Sequence, residues 1–195
     1  MQTLSERTMQ LIEERIFPCL WELGCERHTL QNGATVIDMG VHAPGGREAA
    51  LLFTLVTLGG LGEVGYGTIN VGGRTLESVE VSLDRPHEAA LSSQFSAWKV
   101  KPAGEYGLPG FASGPARAVA YRDPIAKMWP YRESCTRTAL ALQTAELPDE
   151  AFAGEVAAAC GIAPDGVTLL AAKTGSLVGC VQIAARMAEV SLWGL

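Results

Sequence analysis

The chain has 195 residues, 48% of them hydrophobic and 18% charged, with a formal net charge of −6. That length can bury one substantial core or two small ones, and a mean hydropathy of +0.16 excludes a disordered chain. No apolar run approaches the roughly 18 residues of a membrane-spanning helix, and the acidic balance, without a Lys/Arg cluster, disfavours a nucleic-acid binder.

The apolar spacing of Leu4, Leu11, Ile12, Ile16, Leu20 and Leu23 predicts one amphipathic helix over 4–23, opened by a Thr3/Glu6 capping box and stopped by Gly24. Asn32-Gly33 between 27–30 and 34–41 marks a hairpin. A second apolar helix is expected over 47–57, then paired strands over 63–71 and 74–83 joined by Gly72-Gly73. Pro86 opens a helix expected to reach Trp98, which places Phe95 and Trp98 together on its core face. The Gly/Pro-rich stretch from Lys101 to Ser113 reads as a loop, and the short apolar piece 117–120 follows. A buried strand is predicted over 138–144, a helix from Pro148 to Cys160, a strand over 167–172, and a last helix from Ser176 onward, still running at Leu195. The class is mixed α/β (α+β), with antiparallel hairpins ruling out a purely parallel doubly wound sheet. The Pro/Gly-rich middle divides the chain into an N-terminal α+β lobe, 1–124, and the start of a second lobe, 125–195.

The five cysteines are odd in number and form no C-x-x-C pair, and the three histidines sit at no metal-ligand spacing. They read as buried free thiols, with no metal site, in a soluble cytoplasmic protein without a secretory leader. Gly60-x-Gly62-x-x-Gly65 precedes a strand, so it is no dinucleotide fingerprint. Asp38, Glu48 and Asp84 lie near turns and read as caps or solvated acids.

The last helix is nearly all small or apolar, and its polar residues Gln182, Arg186 and Glu189 fall on one stripe within about 60° of arc. Two readings stay open: a surface salt bridge, or a general base with a guanidinium that orients water. Ser113-Gly114 ahead of Pro115, with the cation Arg117, suits an anion, and so does Lys173-Thr-Gly-Ser176 at the mouth of the last helix; ordinary turns would look the same.

Several segments in order carry a resemblance: Asn32-Gly-Ala-Thr-Val-Ile-Asp38, Gly40-Val-His-Ala-Pro44-Gly-Gly46, Gly59-Gly-Leu61, Ser113-Gly-Pro-Ala-Arg-Ala118 and Val181-Gln-Ile-Ala-Ala-Arg-Met-Ala-Glu189. Together they resemble the methenyltetrahydromethanopterin cyclohydrolase family over nearly the whole chain. The resemblance implies reversible hydration of a cationic methenyl bridge to the formyl derivative in one-carbon metabolism, either methanogenesis or formaldehyde oxidation. It implies no metal or redox cofactor, a pterin substrate, a homotrimer, and a substrate cleft between two lobes. Arg186 and Glu189 align with the family's catalytic pair. Gln182, Ser113, Gly114, Arg117, Lys173 and Ser176 are the expected substrate contacts, with an acidic or phosphate-bearing part of the substrate at Ser113–Arg117. Lys173 stands where relatives carry proline, and Phe95 where archaeal relatives carry a basic residue. Family subunits are longer, so a C-terminally truncated chain with an incomplete second lobe is expected. Its alternatives are a non-catalytic pterin-binding homologue or a homo-oligomeric scaffold.

Overall fold

A computed structural model describes residues 1–95, 98–100 and 110–193. The elements run β1 (Glu26–Thr29), β2 (Thr35–Gly40), β3 (Glu63–Val71), β4 (Arg74–Ser82), β5 (Trp98–Val100), β6 (Gly110–Ser113), β7 (Thr138–Gln143) and β8 (Val167–Ala172). The α-helices are α1 (Leu4–Leu11), α2 (Arg47–Thr57), α3 (Ala116–Ala120), α4 (Pro124–Met128), α5 (Glu150–Cys160), α6 (Leu177–Ala185) and α7 (Met187–Trp193), and a π-helix spans His87–Gln94.

Six strands form one mixed sheet in the order β1-β2-β8-β7-β6-β5. The three central strands are parallel, and β1, β6 and β5 run antiparallel to their neighbours. Every residue of β2, β7 and β8 is buried, as expected for strands covered on both faces, and this explains their unbroken apolar sequences. Alternation divides the side chains between two cores. Ile37, Ala139, Ala141, Leu170 and Ala172 meet Phe53 and Val56 of α2 and Val178 and Val181 of α6 on one face. Val36, Leu140, Leu142, Val167 and Leu169 meet Phe152 and Val156 of α5 on the other. Strands from both sides of residue 124 share this sheet. The β3–β4 hairpin stands apart as a two-stranded ribbon, turned by Gly72-Gly73 at φ 57° and 77°.

The fold is mixed α/β as expected, and α2, the two hairpins, β7, α5 and β8 form where the sequence places them. Four expectations are corrected. The first helix is not continuous to residue 23: α1 gives way to a π-turn over Ile12–Ile16 and a 3₁₀ turn over Phe17–Cys19, because Pro18 has no N–H to continue the ladder. The helix after Pro86 ends at Gln94, and Trp98 instead opens strand β5, still buried in the second core. Gly110–Ser113 is strand and not loop, pairing with β5 and β7; residues 96–97 and 101–109 lie outside the described residues. The last helix is broken at Arg186 into α6 and α7; residues 194–195 lie outside the described residues.

Cysteine placement is also corrected. Cys25 alone is buried; Cys19, Cys135 and Cys160 are partly exposed and Cys180 is exposed, all of them free thiols. None of the described helices is long and apolar enough to cross a membrane.

Candidate active site

Helix α6 begins at Ser176, whose hydroxyl accepts from Gly179 N and donates to the Lys173 carbonyl. The capping group fixes where the helix starts, and so where its polar stripe falls. Gln182 is buried and accepts a 2.8 Å hydrogen bond from Gln143 Nε2 at the end of β7. Arg186 then caps α6, and its N–H finds three carbonyls of the last turn. The break turns α7 so that its first-turn acid, Glu189, packs inward.

Arg186 Nε donates to Glu189 Oε1 at 2.8 Å, but the two partners differ sharply in exposure: 29% for the arginine side chain and 2% for the glutamate. The pair is therefore not a surface salt bridge. Burial pushes the Glu189 carboxyl above its usual range, and the positive charges of Arg186 and Arg117 pull it partly back. Its second oxygen, Oε2, is buried with no hydrogen-bond partner among the described residues. A carboxylate with one oxygen anchored by a cation, the other unoccupied and the pKa raised has the layout of a general base.

Helix α7 packs against the π-helix His87–Gln94. That helix contributes a residue the sequence reading missed. Gln94 is fully buried, and among the described residues neither amide atom finds a partner, nor does the Ser92 hydroxyl. A buried, unsatisfied amide costs about 1–3 kcal/mol, and irregular helical turns recur at functional sites. The signal was the run Ser92-Ser93-Gln94 after the apolar stretch Ala89-Ala90-Leu91: a regular helix would turn some of it to water, whereas this one buries all three.

The other expected contacts separate into two groups. Ser113, Gly114 and Arg117 lie beside the π-helix, since Gly114 N and Arg117 Nη1 both donate to the Ser93 carbonyl. Arg117 is not turned outward to receive an anion. It is completely buried, with Nε and Nη2 donating to the two oxygens of Asp123 (3.1 and 2.8 Å) and Nη1 to the Leu91 and Ser93 carbonyls. Lys173 and Ser176 sit at the opposite end of α6, against Gly40 of β2. Ten residues of helix, at 1.5 Å each, separate Ser176 from Arg186 by about 15 Å.

Comparison with known proteins places the chain in a family. Residues 3–195 match the model of the Cyclohydrolase (MCH) family. The chain belongs to that family. It is 41% identical over 174 residues to a protein of Methanococcus maripaludis named methenyltetrahydromethanopterin cyclohydrolase, a match that covers 86% of this chain and 52% of that one. Proteins of the same name from Methanocaldococcus jannaschii (39% over 171 residues, 86% and 52% covered) and Methanosarcina mazei (31% over 195 residues, 98% and 59% covered) are also similar. The chain thus spans between half and three-fifths of the length of these relatives.

Proposed function

We propose that this cyclohydrolase-family chain hydrates the methenyl bridge of 5,10-methenyl-tetrahydromethanopterin to the formyl derivative, reversibly, with Glu189 as general base and Arg186 as its orienting partner. The bridge carbon is cationic and already electrophilic, so the enzyme's task is to position a water and take its proton. Glu189 Oε2 is the acceptor. As the water oxygen bonds to the methenyl carbon, one proton passes to Oε2; it returns to the ring nitrogen as the C–N bond breaks. The second water proton goes to solvent, so cation plus water gives formyl product plus one proton. No electron is transferred, and the chemistry calls for no redox cofactor. Arg186, held by Oε1, keeps the carboxylate ionised from the side away from the substrate cation.

Gln182 and Gln94 would face the polar edges of the pterin, Ser113 and Gly114 would border the same cleft, and Lys173 with Ser176 would meet a more distant part of the substrate. A homo-oligomer working in cytoplasmic one-carbon metabolism, in methanogenesis or formaldehyde oxidation, is part of this reading. The observation that carries it is the buried Oε2 of Glu189, without a hydrogen-bond partner among the described residues, beside Arg186 in a member of this family.

The test is loss of the methenyl chromophore on mixing substrate with the purified chain, run beside Glu189→Gln. Turnover that falls about 10²–10⁴-fold in the variant, with binding retained, supports the assignment. Equal turnover by both proteins removes Glu189 as the base. Binding without turnover in the wild-type chain makes it a pterin-binding member of the family.

A further inference from the structure

Arg117 is the largest fully buried side chain among the described residues. Its guanidinium joins three pieces of structure: α3, which carries it; the last turn of the π-helix, through the Leu91 and Ser93 carbonyls; and Asp123, which caps α4 by accepting from Ala126 N. The carbonyls it clamps belong to the turn that ends in Gln94, and α7 with Glu189 packs on that same π-helix. A buried cation so placed acts on the site in two ways. It fixes the backbone on which Glu189 rests, and it adds a positive potential in a medium where water screens little.

We propose that Arg117 is a positioning residue for Glu189: clamped between Asp123 and the π-helix, it holds the seat of α7 and places a buried positive charge in the structure on which that carboxylate rests. This rests on the reading of Glu189 as the base. The other charged or titratable groups on the packed elements are His87 and Glu88 at the far end of the π-helix, where Glu88 pairs with Arg85, and Cys180 on α6. The two cations whose charge offsets the burial of Glu189 are Arg186 and Arg117.

The role separates from plain structural support by sign. Arg117→Gln combined with Asp123→Asn replaces the ion pair by a neutral pair of similar shape and removes the buried charge. Asp123→Asn alone leaves Arg117 uncompensated and strengthens its field. The readout is the Glu189 carboxyl midpoint, followed by ¹³C NMR of glutamate-labelled protein and assigned with Glu189→Gln. The neutral pair should raise the midpoint by about one pH unit and move the acid limb of kcat with it, while Asp123→Asn should lower the midpoint. Arg117→Lys, which keeps the charge, should return the midpoint close to wild type. An unchanged midpoint in either folded Asp123 variant overturns the proposal, and the single variant keeps it falsifiable if the double variant does not fold. Because the midpoint is read without substrate, a chain that shows these shifts but never converts the methenyl compound would remove the proposed reaction and leave the Arg117–Glu189 coupling standing.

Discussion

Asp38 shows how much one carboxylate can organise. It sits at the end of β2, fully buried, just where the register with β8 slips. Oδ1 accepts from Gly40 N and Val41 N, and Oδ2 from His42 N and Ala43 N, at 2.7–3.0 Å. Burial pushes this carboxyl up, but the four backbone donors outweigh it and the net shift is downward. The sequence reading of Asp38 as a capping acid was correct in kind, though the acid closes a loop and not a helix. A depressed folded-state pKa means that the stabilisation is complete above the unfolded value, about 3.9, and is lost as pH falls through the folded value. In Asp38→Asn the amide nitrogen must face two N–H donors, leaving them unpaired in the interior. We expect a loss of roughly 2–4 kcal/mol in urea unfolding at neutral pH. Below about pH 4 the gap between wild type and variant should narrow, because the wild-type carboxylate is then losing its advantage. A gap that stays constant down through that range would show that the charge contributes nothing.

At the scale of elements, α6 is placed by a close backbone contact. A Cβ on Gly179 would lie 2.1 Å from the Lys173 carbonyl oxygen and 2.9 Å from that of Thr174, both backbone atoms of the turn leaving β8. Only a residue without a side chain lets the helix start against the strand it follows. Gly179→Ala must push the helix outward, and with it Gln182 and the break at Arg186. The expected result is a loss of about 2–3 kcal/mol. A fall in kcat of the order of 10²-fold should accompany it, since a displacement near 1 Å at a reacting group costs that much. A variant of unchanged stability would show that the turn yields freely. Much at this scale was legible in sequence. Asn32-Gly33 and Gly72-Gly73 announce hairpins through turn chemistry, Pro148 and Ser176 announce helix starts, and the apolar runs of β7 and β8 announce strands. What was hidden depends on non-local packing. The π-winding of His87–Gln94 buries three consecutive polar residues that a regular helix would distribute, and nothing in local propensity reveals it. Likewise Arg117 looked like an outward cation because its partner Asp123 and the Leu91 and Ser93 carbonyls are brought to it only by folding. The Arg186–Glu189 stripe was visible from spacing, but the burial that separates a base from a surface ion pair needed the break between α6 and α7.

Across the whole molecule, the start of the chain is tied to the stretch ahead of β7 by the Glu133 side chain, beside a Ser5–Thr138 hydrogen bond and a Glu13–Arg137 ion pair. Glu133 is buried just ahead of β7, and its two oxygens accept from Leu4 N (2.8 Å), Ser5 N (2.9 Å), the Ser5 hydroxyl and the Tyr131 hydroxyl (2.7 Å). Leu4 and Ser5 open α1, so their N–H groups have no partner within the helix, and the positive end of the helix dipole faces the carboxylate. Thr3 satisfies the next N–H through the capping box. The tie closes a loop of well over a hundred residues and delivers Met9, Ile12 and Ile16 to the core shared by α2, α6 and the sheet. Its loss should therefore act on the entire fold and not merely fray a terminus. Glu133→Gln keeps the shape but turns an NH₂ group toward helix donors that need an acceptor. The expected cost is roughly 2–4 kcal/mol, a drop in Tm on the order of 5–15 °C for a chain of this size. Because the helix it anchors lies within a core built on the common sheet, the far-ultraviolet and near-ultraviolet transitions of the variant should remain coincident. An early far-ultraviolet step, with the aromatic signal still native, would show instead that α1 detaches on its own and that the core holds without it.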